Sequence, residues 1–156
     1  VHEPQRGYGA ACLAGLAAAG AGEPPDAVAF LDADLADDPA LLPVLAEPVL
    51  RDEADLVLGS RVALAERGAL EPRQRFGNAL ACGLLRLTTG GRYTDLGPMR
   101  VVRWRALQRM GMRDTTWGWT VEMQYRAARL GLRVREVSVP YRKRHAGTSK
   151  ISGSLI

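Results

Sequence analysis

Short apolar runs alternate with helical stripes of apolar residues along this chain, and the pattern predicts strands that alternate with helices. The run over 27–31 is typical of a buried strand because it contains valine and phenylalanine and stops at acidic residues. Residues 55–61 repeat the pattern, and we interpret them as a second strand, parallel to the first and its neighbour in the sheet. Residues 134–139 stop at Pro140, which predicts an edge strand.

Helical patterns fill the segments between these strands. Helices are predicted over 10–19, over 40–53 with interruption by prolines, over 104–110 and over 120–130. The helix predicted over 72–88 is amphipathic, and its apolar positions recur every three or four residues: Phe76, Leu80, Leu84 and Leu87. Strands that alternate with helices indicate the α/β fold class.

Length and composition indicate an ordinary globular domain. The chain has 156 residues, of which 47% are hydrophobic and 24% are charged. No apolar run is long enough for a membrane span, and no signal peptide opens the sequence. Cys12 and Cys82 lie in apolar helical surroundings, which predicts reduced core residues rather than a disulfide.

The net charge of +4 conceals two halves of opposite sign. Up to Glu66 there are twelve acids against three bases, a net charge of −9. From Arg67 onward there are eighteen bases against five acids, a net charge of +13. The basic half is suited to binding phosphates or facing an anionic membrane surface.

Two aspartates, Asp32 and Asp34, follow the first predicted strand. Ligands of open α/β sheets bind at the carboxyl ends of strands, and paired carboxylates suit a hard cation such as Mg²⁺ or Mn²⁺. Asp38 precedes Pro39, which predicts a helix cap at the end of the same turn. Local sequence fits both a metal site and a capped loop at Asp32 and Asp34.

Basic residues stand at three points where an anion could bind. Arg6 precedes a glycine-containing turn and a helix N-terminus, which can hold an anion or form a plain turn. Arg73 lies in the first turn of a helix, the unfavourable end for a cation, which indicates either an anionic partner or a solvated surface arginine. The basic loop over 141–150 suits a diphosphate, with a disordered tail as the alternative.

Six motifs occur in one order along the chain: RGYG at 6–9, FLDADL at 30–35, DLVLGSR at 55–61, TDLGPMR at 94–100, EMQYRA at 122–127 and GTSK at 147–150. In this order they resemble the family-2 inverting glycosyltransferases, and among them the dolichol-phosphate mannosyltransferase-like branch of bacteria. The resemblance covers nearly the whole chain.

The resemblance implies a GT-A fold and a nucleotide-diphosphate sugar donor. It assigns Asp32 and Asp34 to a divalent cation, Mg²⁺ or Mn²⁺, and to the donor phosphates. Three residues match the loop that closes over the donor in the family: Arg144, Ser149 and Lys150. Arg61 and Arg73 would hold an acceptor phosphate. Family members often carry a hydroxyl residue near the position of Gly77, and this chain departs from the pattern there.

The acceptor determines whether the reaction needs a base. A polyprenyl phosphate is already ionised, whereas a hydroxyl acceptor must lose its proton to a carboxylate. Asp95, an isolated acid in a loop, is the first candidate for the base or for orienting the acceptor. Glu122, beside the aromatic patch at 117–119, is the second candidate.

These inferences predict a hexosyltransferase domain over 1–156. Because family members begin with a strand and a helix upstream of the position of Val1, we expect the chain to be the second part of a catalytic domain. We expect a cytoplasmic protein, peripheral at the inner face of the cell membrane, with no nucleic acid partner. The alternatives are a nucleotidyltransferase-like enzyme that uses Mg²⁺ and a non-catalytic module that binds phosphate or other anions.

Overall fold

A computed structural model of the chain describes residues 1–143, which contain a four-stranded mixed sheet. The strands are β1 (Ala27–Phe30), β2 (Leu56–Ser60), β3 (Arg100–Arg103) and β4 (Val134–Ser138). They lie in the order β1-β3-β2-β4, with β3 antiparallel to both of its neighbours and β4 parallel to β2. The predicted edge position of the last strand is confirmed within the described sheet.

One prediction about the sheet is wrong. The strand β2 is not the neighbour of β1, because β3 lies between them and pairs with both. Val101 of β3 faces Ala29 of β1 on one side and Val57 of β2 on the other. The short strand β3, which follows the loop at 94–99, therefore lies between the two strands that were predicted to pair directly.

Helices pack on both faces of this sheet. They are α1 (Tyr8–Ala19), α2 (Leu42–Leu50), α3 (Pro72–Thr89), α4 (Trp104–Met110) and α5 (Trp119–Arg129). A short 3₁₀ helix, Pro39–Leu41, precedes α2, and Asp38 caps it by accepting the N–H of Ala40 at 3.0 Å, as predicted. In the described part of the chain, no helix is long and apolar enough to cross a bilayer.

The sheet separates two apolar clusters. On one face, Phe30, Leu58 and Val102 pack against α4 and α5, with residues of α1 at the edge of the cluster. On the other face, Val57 and Val101 pack against α2. Neither Cys12 nor Cys82 forms a disulfide, so the prediction of reduced cysteines is confirmed.

The amphipathic helix α3 is confirmed, but its apolar stripe does not face the core. Phe76, Leu80, Leu84 and Leu87 are all exposed. The residues of α3 that are buried are Cys82 and Leu85, on the other side of the helix. The helix begins at Pro72 after a capping box between Glu71 and Gln74, and it ends at Gly90 in the left-handed conformation.

Candidate functional site

The chain turns out of the sheet directly after β1, and this turn carries Asp32 and Asp34. Both side chains are half-buried. The carboxylate of Asp34 accepts the N–H of Ala36 at 3.0 Å. Leu35 has φ 59°, in the left-handed region that leucine rarely adopts. The backbone is therefore held in a specific turn that directs two carboxylates to the carboxyl end of β1.

A buried ion pair between Arg61 and Asp95 lies beside this turn. Asp95 is only 2% exposed. Its carboxylate accepts the backbone N–H of Arg61 at 2.8 Å, the side-chain Nε at 2.8 Å and Nη2 at 2.9 Å. The guanidinium also lies over the ring of Tyr141, 5.0 Å from its centroid. Burial alone would lower the pKa of Arg61, but the hydrogen bonds and charge of Asp95 raise it above its ordinary value.

Three elements hold the loop that carries Asp95. Glu136 of β4 accepts the N–H and the hydroxyl of Thr94, each at 2.9 Å. Gln124 of α5 donates to the carbonyl of Asp95 at 3.0 Å. Asn78 of α3 donates to the carbonyl of Thr94 at 2.9 Å and accepts an N–H of the same loop at 2.8 Å. The position of Asp95 is thus fixed through its backbone as well as its carboxylate.

Asp37 is a buried carboxylate that the sequence analysis did not identify. It is 1% exposed, and neither of its side-chain oxygens accepts a hydrogen bond from the described residues. Burial raises the pKa of Asp37 to about 6, the charge of Arg61 opposes this, and the charges of Asp32, Asp34 and Asp95 add to it. All four of these charges act on Asp37, and we call the five groups the acidic site.

The carboxylates of the acidic site suit a metal ion that takes its remaining ligands from a bound substrate. Within residues 1–143, no three histidine, cysteine, aspartate or glutamate side chains are placed to hold a metal ion by themselves. Mg²⁺ and similar ions are commonly held by one or two carboxylates together with substrate phosphates and water. Asp32 and Asp34 therefore fit a divalent cation that is bound together with a diphosphate.

Glu122 has a different environment from Asp95. Its carboxylate accepts the backbone N–H groups of Arg113 and Asp114, at 3.0 Å and 2.8 Å, and Nε of Arg126 at 2.7 Å. Burial would raise the pKa of Glu122, but these hydrogen bonds lower it below its ordinary value. These contacts join Glu122 to α5 and to the loop at 111–116, where the N-terminus of α1 also packs.

The predicted basic residues are distributed unevenly. Arg61 lies in the acidic site, whereas Arg6, ahead of α1, and Arg73, in the first turn of α3, are exposed side chains. Three further predicted residues, Arg144, Ser149 and Lys150, lie outside the described residues.

Comparison with known proteins identifies the family. The model for Glycosyl transferase family 2 matches residues 1–133. The chain belongs to glycosyl transferase family 2. An uncharacterized glycosyltransferase of Mycobacterium tuberculosis is 40% identical over 156 residues, which are 99% of this chain and 68% of that protein. The undecaprenyl-phosphate mannosyltransferase of Micrococcus luteus is 32% identical over 145 residues, 84% of this chain and 55% of that protein.

Solved structures confirm the predicted GT-A fold of this family-2 chain. Glucosyl-3-phosphoglycerate synthase from M. tuberculosis, in complex with Mn²⁺ and uridine-diphosphate-glucose, superposes with a TM-score of 0.69 at 21% identity. The same enzyme with phosphoglyceric acid gives a TM-score of 0.66 at 20% identity. The matches cover 96% and 95% of this chain, and the chain spans half the length of each solved chain.

Proposed function

We propose that this protein transfers a hexosyl group from a nucleotide-diphosphate sugar to an acceptor, with inversion at the anomeric carbon. The acidic site carries the proposal, because two carboxylates at the end of β1 lie beside the buried pair of Arg61 and Asp95. Membership of family 2 supports it, and so does the nucleotide sugar bound with Mn²⁺ in a solved protein of the same fold.

The donor side of the reaction is assigned to the turn after β1. Asp32 and Asp34 would hold Mg²⁺ or Mn²⁺ together with the donor diphosphate. When bound, the cation offsets the negative charge that develops on the departing nucleoside diphosphate. Further phosphate contacts are proposed from Arg6 and from the loop residues Arg144, Ser149 and Lys150.

The acceptor that this arrangement favours is a polyprenyl phosphate. Both oxygens of Asp95 already accept N–H groups, and Glu122 is engaged by α5 and its neighbouring loop. Two carboxylates occupied in this way are poorly placed to take a proton, whereas an ionised phosphate needs no base. Arg61, and Arg73 at the start of α3, would contact that phosphate, and Asp95 would position Arg61. One relative is an undecaprenyl-phosphate mannosyltransferase, which supports this choice.

A hydroxyl acceptor is the second possibility within the same function. In that reaction Asp95 is the first candidate base and Glu122 the second. Near-normal turnover of an Asp95→Asn variant with a hydroxyl acceptor would exclude Asp95 from that role, and the same test with Glu122→Gln applies to Glu122.

The test of the proposal is a transfer assay with the complete gene product. A panel of nucleotide sugars is supplied with Mn²⁺ or Mg²⁺, with and without polyprenyl phosphate, and both glycolipid and free nucleoside diphosphate are measured. We expect one donor to yield glycolipid only when the lipid phosphate and a cation are present. Absence of both transfer and donor hydrolysis across the panel would refute the proposal. Action on a lipid acceptor implies a peripheral position at the membrane surface.

A further inference from the structure

We propose that the outward face of α3 is a docking surface for an anionic lipid bilayer. This inference rests on the proposed function, because it names the surface through which an enzyme with a lipid acceptor would reach the membrane. It depends on three properties of α3: the direction of its apolar stripe, its charge and its connection to the acidic site.

The stripe consists of four large apolar side chains that face away from the protein. Their exposed fractions are 72% for Phe76, 54% for Leu80, 53% for Leu84 and 84% for Leu87. Steps of four, four and three residues keep these positions on one side of a helix with 3.6 residues per turn. A continuous exposed apolar stripe of this kind marks an interaction surface in a folded protein.

The charges on α3 are all of one sign. The helix contains Arg73, Arg75 and Arg86, all exposed, and no aspartate or glutamate. Arg75 and Arg86 are eleven residues apart, about three turns, so they lie on the same flank of the stripe. A helix with an apolar face flanked by arginines is the arrangement that binds at the surface of anionic membranes.

The same charges argue against a second copy of this chain as the occupant. Two copies packed stripe against stripe would bring the arginines of both helices together, with no acid on either helix to pair with them. An anionic bilayer instead supplies the opposite charge and accepts the apolar side chains. The strongly basic composition from Arg67 onward points in the same direction.

The helix is also connected directly to the acidic site. Asn78 in the first half of α3 holds the loop at 94–96 through two hydrogen bonds, and this loop carries Asp95. A bilayer bound along the outward face of α3 would lie on the opposite side of this helix from Asn78, one helix diameter, roughly 10 Å, from the loop that carries Asp95.

A vesicle flotation experiment tests this surface without any sugar donor. The complete gene product is mixed with vesicles of phosphatidylcholine alone or with 30% phosphatidylglycerol, and the bound fraction is measured. We expect binding to the anionic vesicles, at least tenfold weaker binding for a Phe76→Ser/Leu87→Ser variant, and unchanged binding for the control Leu50→Ser. Leu50 is an exposed leucine, at 61%, at the end of α2. Arg75→Gln and Arg86→Gln should each weaken binding about fivefold.

Two results would overturn the docking surface. One is equal binding of the wild type and the Phe76→Ser/Leu87→Ser variant. The other is absence of binding of the wild type to the anionic vesicles; a dimer that the same substitutions dissociate in analytical ultracentrifugation would then identify a second copy as the occupant. Transfer to a short-chain polyprenyl phosphate in detergent is measured separately, so failure of the proposed function and failure of membrane docking are distinguished. Vesicle binding without transfer would refute only the function, and transfer without vesicle binding would refute only the docking surface.

Discussion

Replacement of Asp95 by asparagine tests whether its ion pair with Arg61 holds the acidic site together. Asparagine keeps the shape of the side chain but removes the charge, so the guanidinium loses its counter-ion. The side chain of Arg61 is only 16% exposed and that of Asp95 only 2%. Breaking a buried ion pair by changing one partner costs about 3–5 kcal/mol. Because Asp37 also lies near Arg61, we expect a loss of about 3 kcal/mol.

Urea unfolding at pH 7 measures this loss, with tryptophan fluorescence as the signal, since unfolding exposes the fully buried Trp119. The matched control is Glu53→Gln, which makes the same chemical change in the ion pair with Arg135. That pair is exposed, at 57% for Arg135 and 50% for Glu53, so its loss should cost less than about 1 kcal/mol. A loss for Asp95→Asn no larger than that of the control would refute the reasoning.

Four further substitutions give expected outcomes for stability. Because burial raises the pKa of Asp37 to about 6, the stability of the wild type should fall by about 3 kcal/mol as pH rises through that value. The Asp37→Asn variant has no carboxyl group to ionise, so its thermal melts without metal should lack this fall. Gly9→Ala should lower the melting temperature because its Cβ would overlap the carbonyl oxygen of Asp114, whereas Gly15→Ala, in open space, should raise it slightly. Glu122→Gln should cost about 1–2 kcal/mol at pH 7, measured by urea unfolding, and the difference should disappear as pH falls through the lowered pKa of Glu122.

Local patterns predicted the elements of this fold because the patterns report on local burial. The predicted strand over 55–61 and the helix over 104–110 are observed as Leu56–Ser60 and Trp104–Met110. The order of strands was not predictable in the same way. It depends on pairing between segments far apart in sequence, and the antiparallel insertion of β3 leaves no periodic signal in β1 or β2.

The apolar stripe of α3 shows a second limit of periodicity. A spacing of three and four residues identifies an apolar side of a helix, but it does not say whether that side meets the protein core or something else. Cys82 and Leu85 provide the contact with the core, and a pair of residues is too short a pattern to compete with a stripe of four.

The acidic site was partly predictable. Asp32 and Asp34 were identified from their place after a strand, and Arg61 and Asp95 from motifs, but their pairing joins residues 34 apart in sequence. Asp37 was missed because it stands next to Asp38, whose capping role accounts for an acidic residue in this turn. Burial distinguishes the two aspartates, and Asp37 is buried where its segment pairs with Tyr141 and Arg142, which lie far along the chain.

Cation-dependent release of nucleoside diphosphate from a nucleotide sugar tests the central claim most directly. The complete gene product is compared with its Asp32→Asn and Asp34→Asn variants, each first shown to unfold at the same urea concentration as the wild type. Loss of a cation that contributes several kcal/mol to the transition state predicts turnover at least about 100-fold lower in both variants. EDTA should abolish wild-type turnover. Turnover that persists at the wild-type rate in both variants, or in the presence of EDTA, would contradict the account.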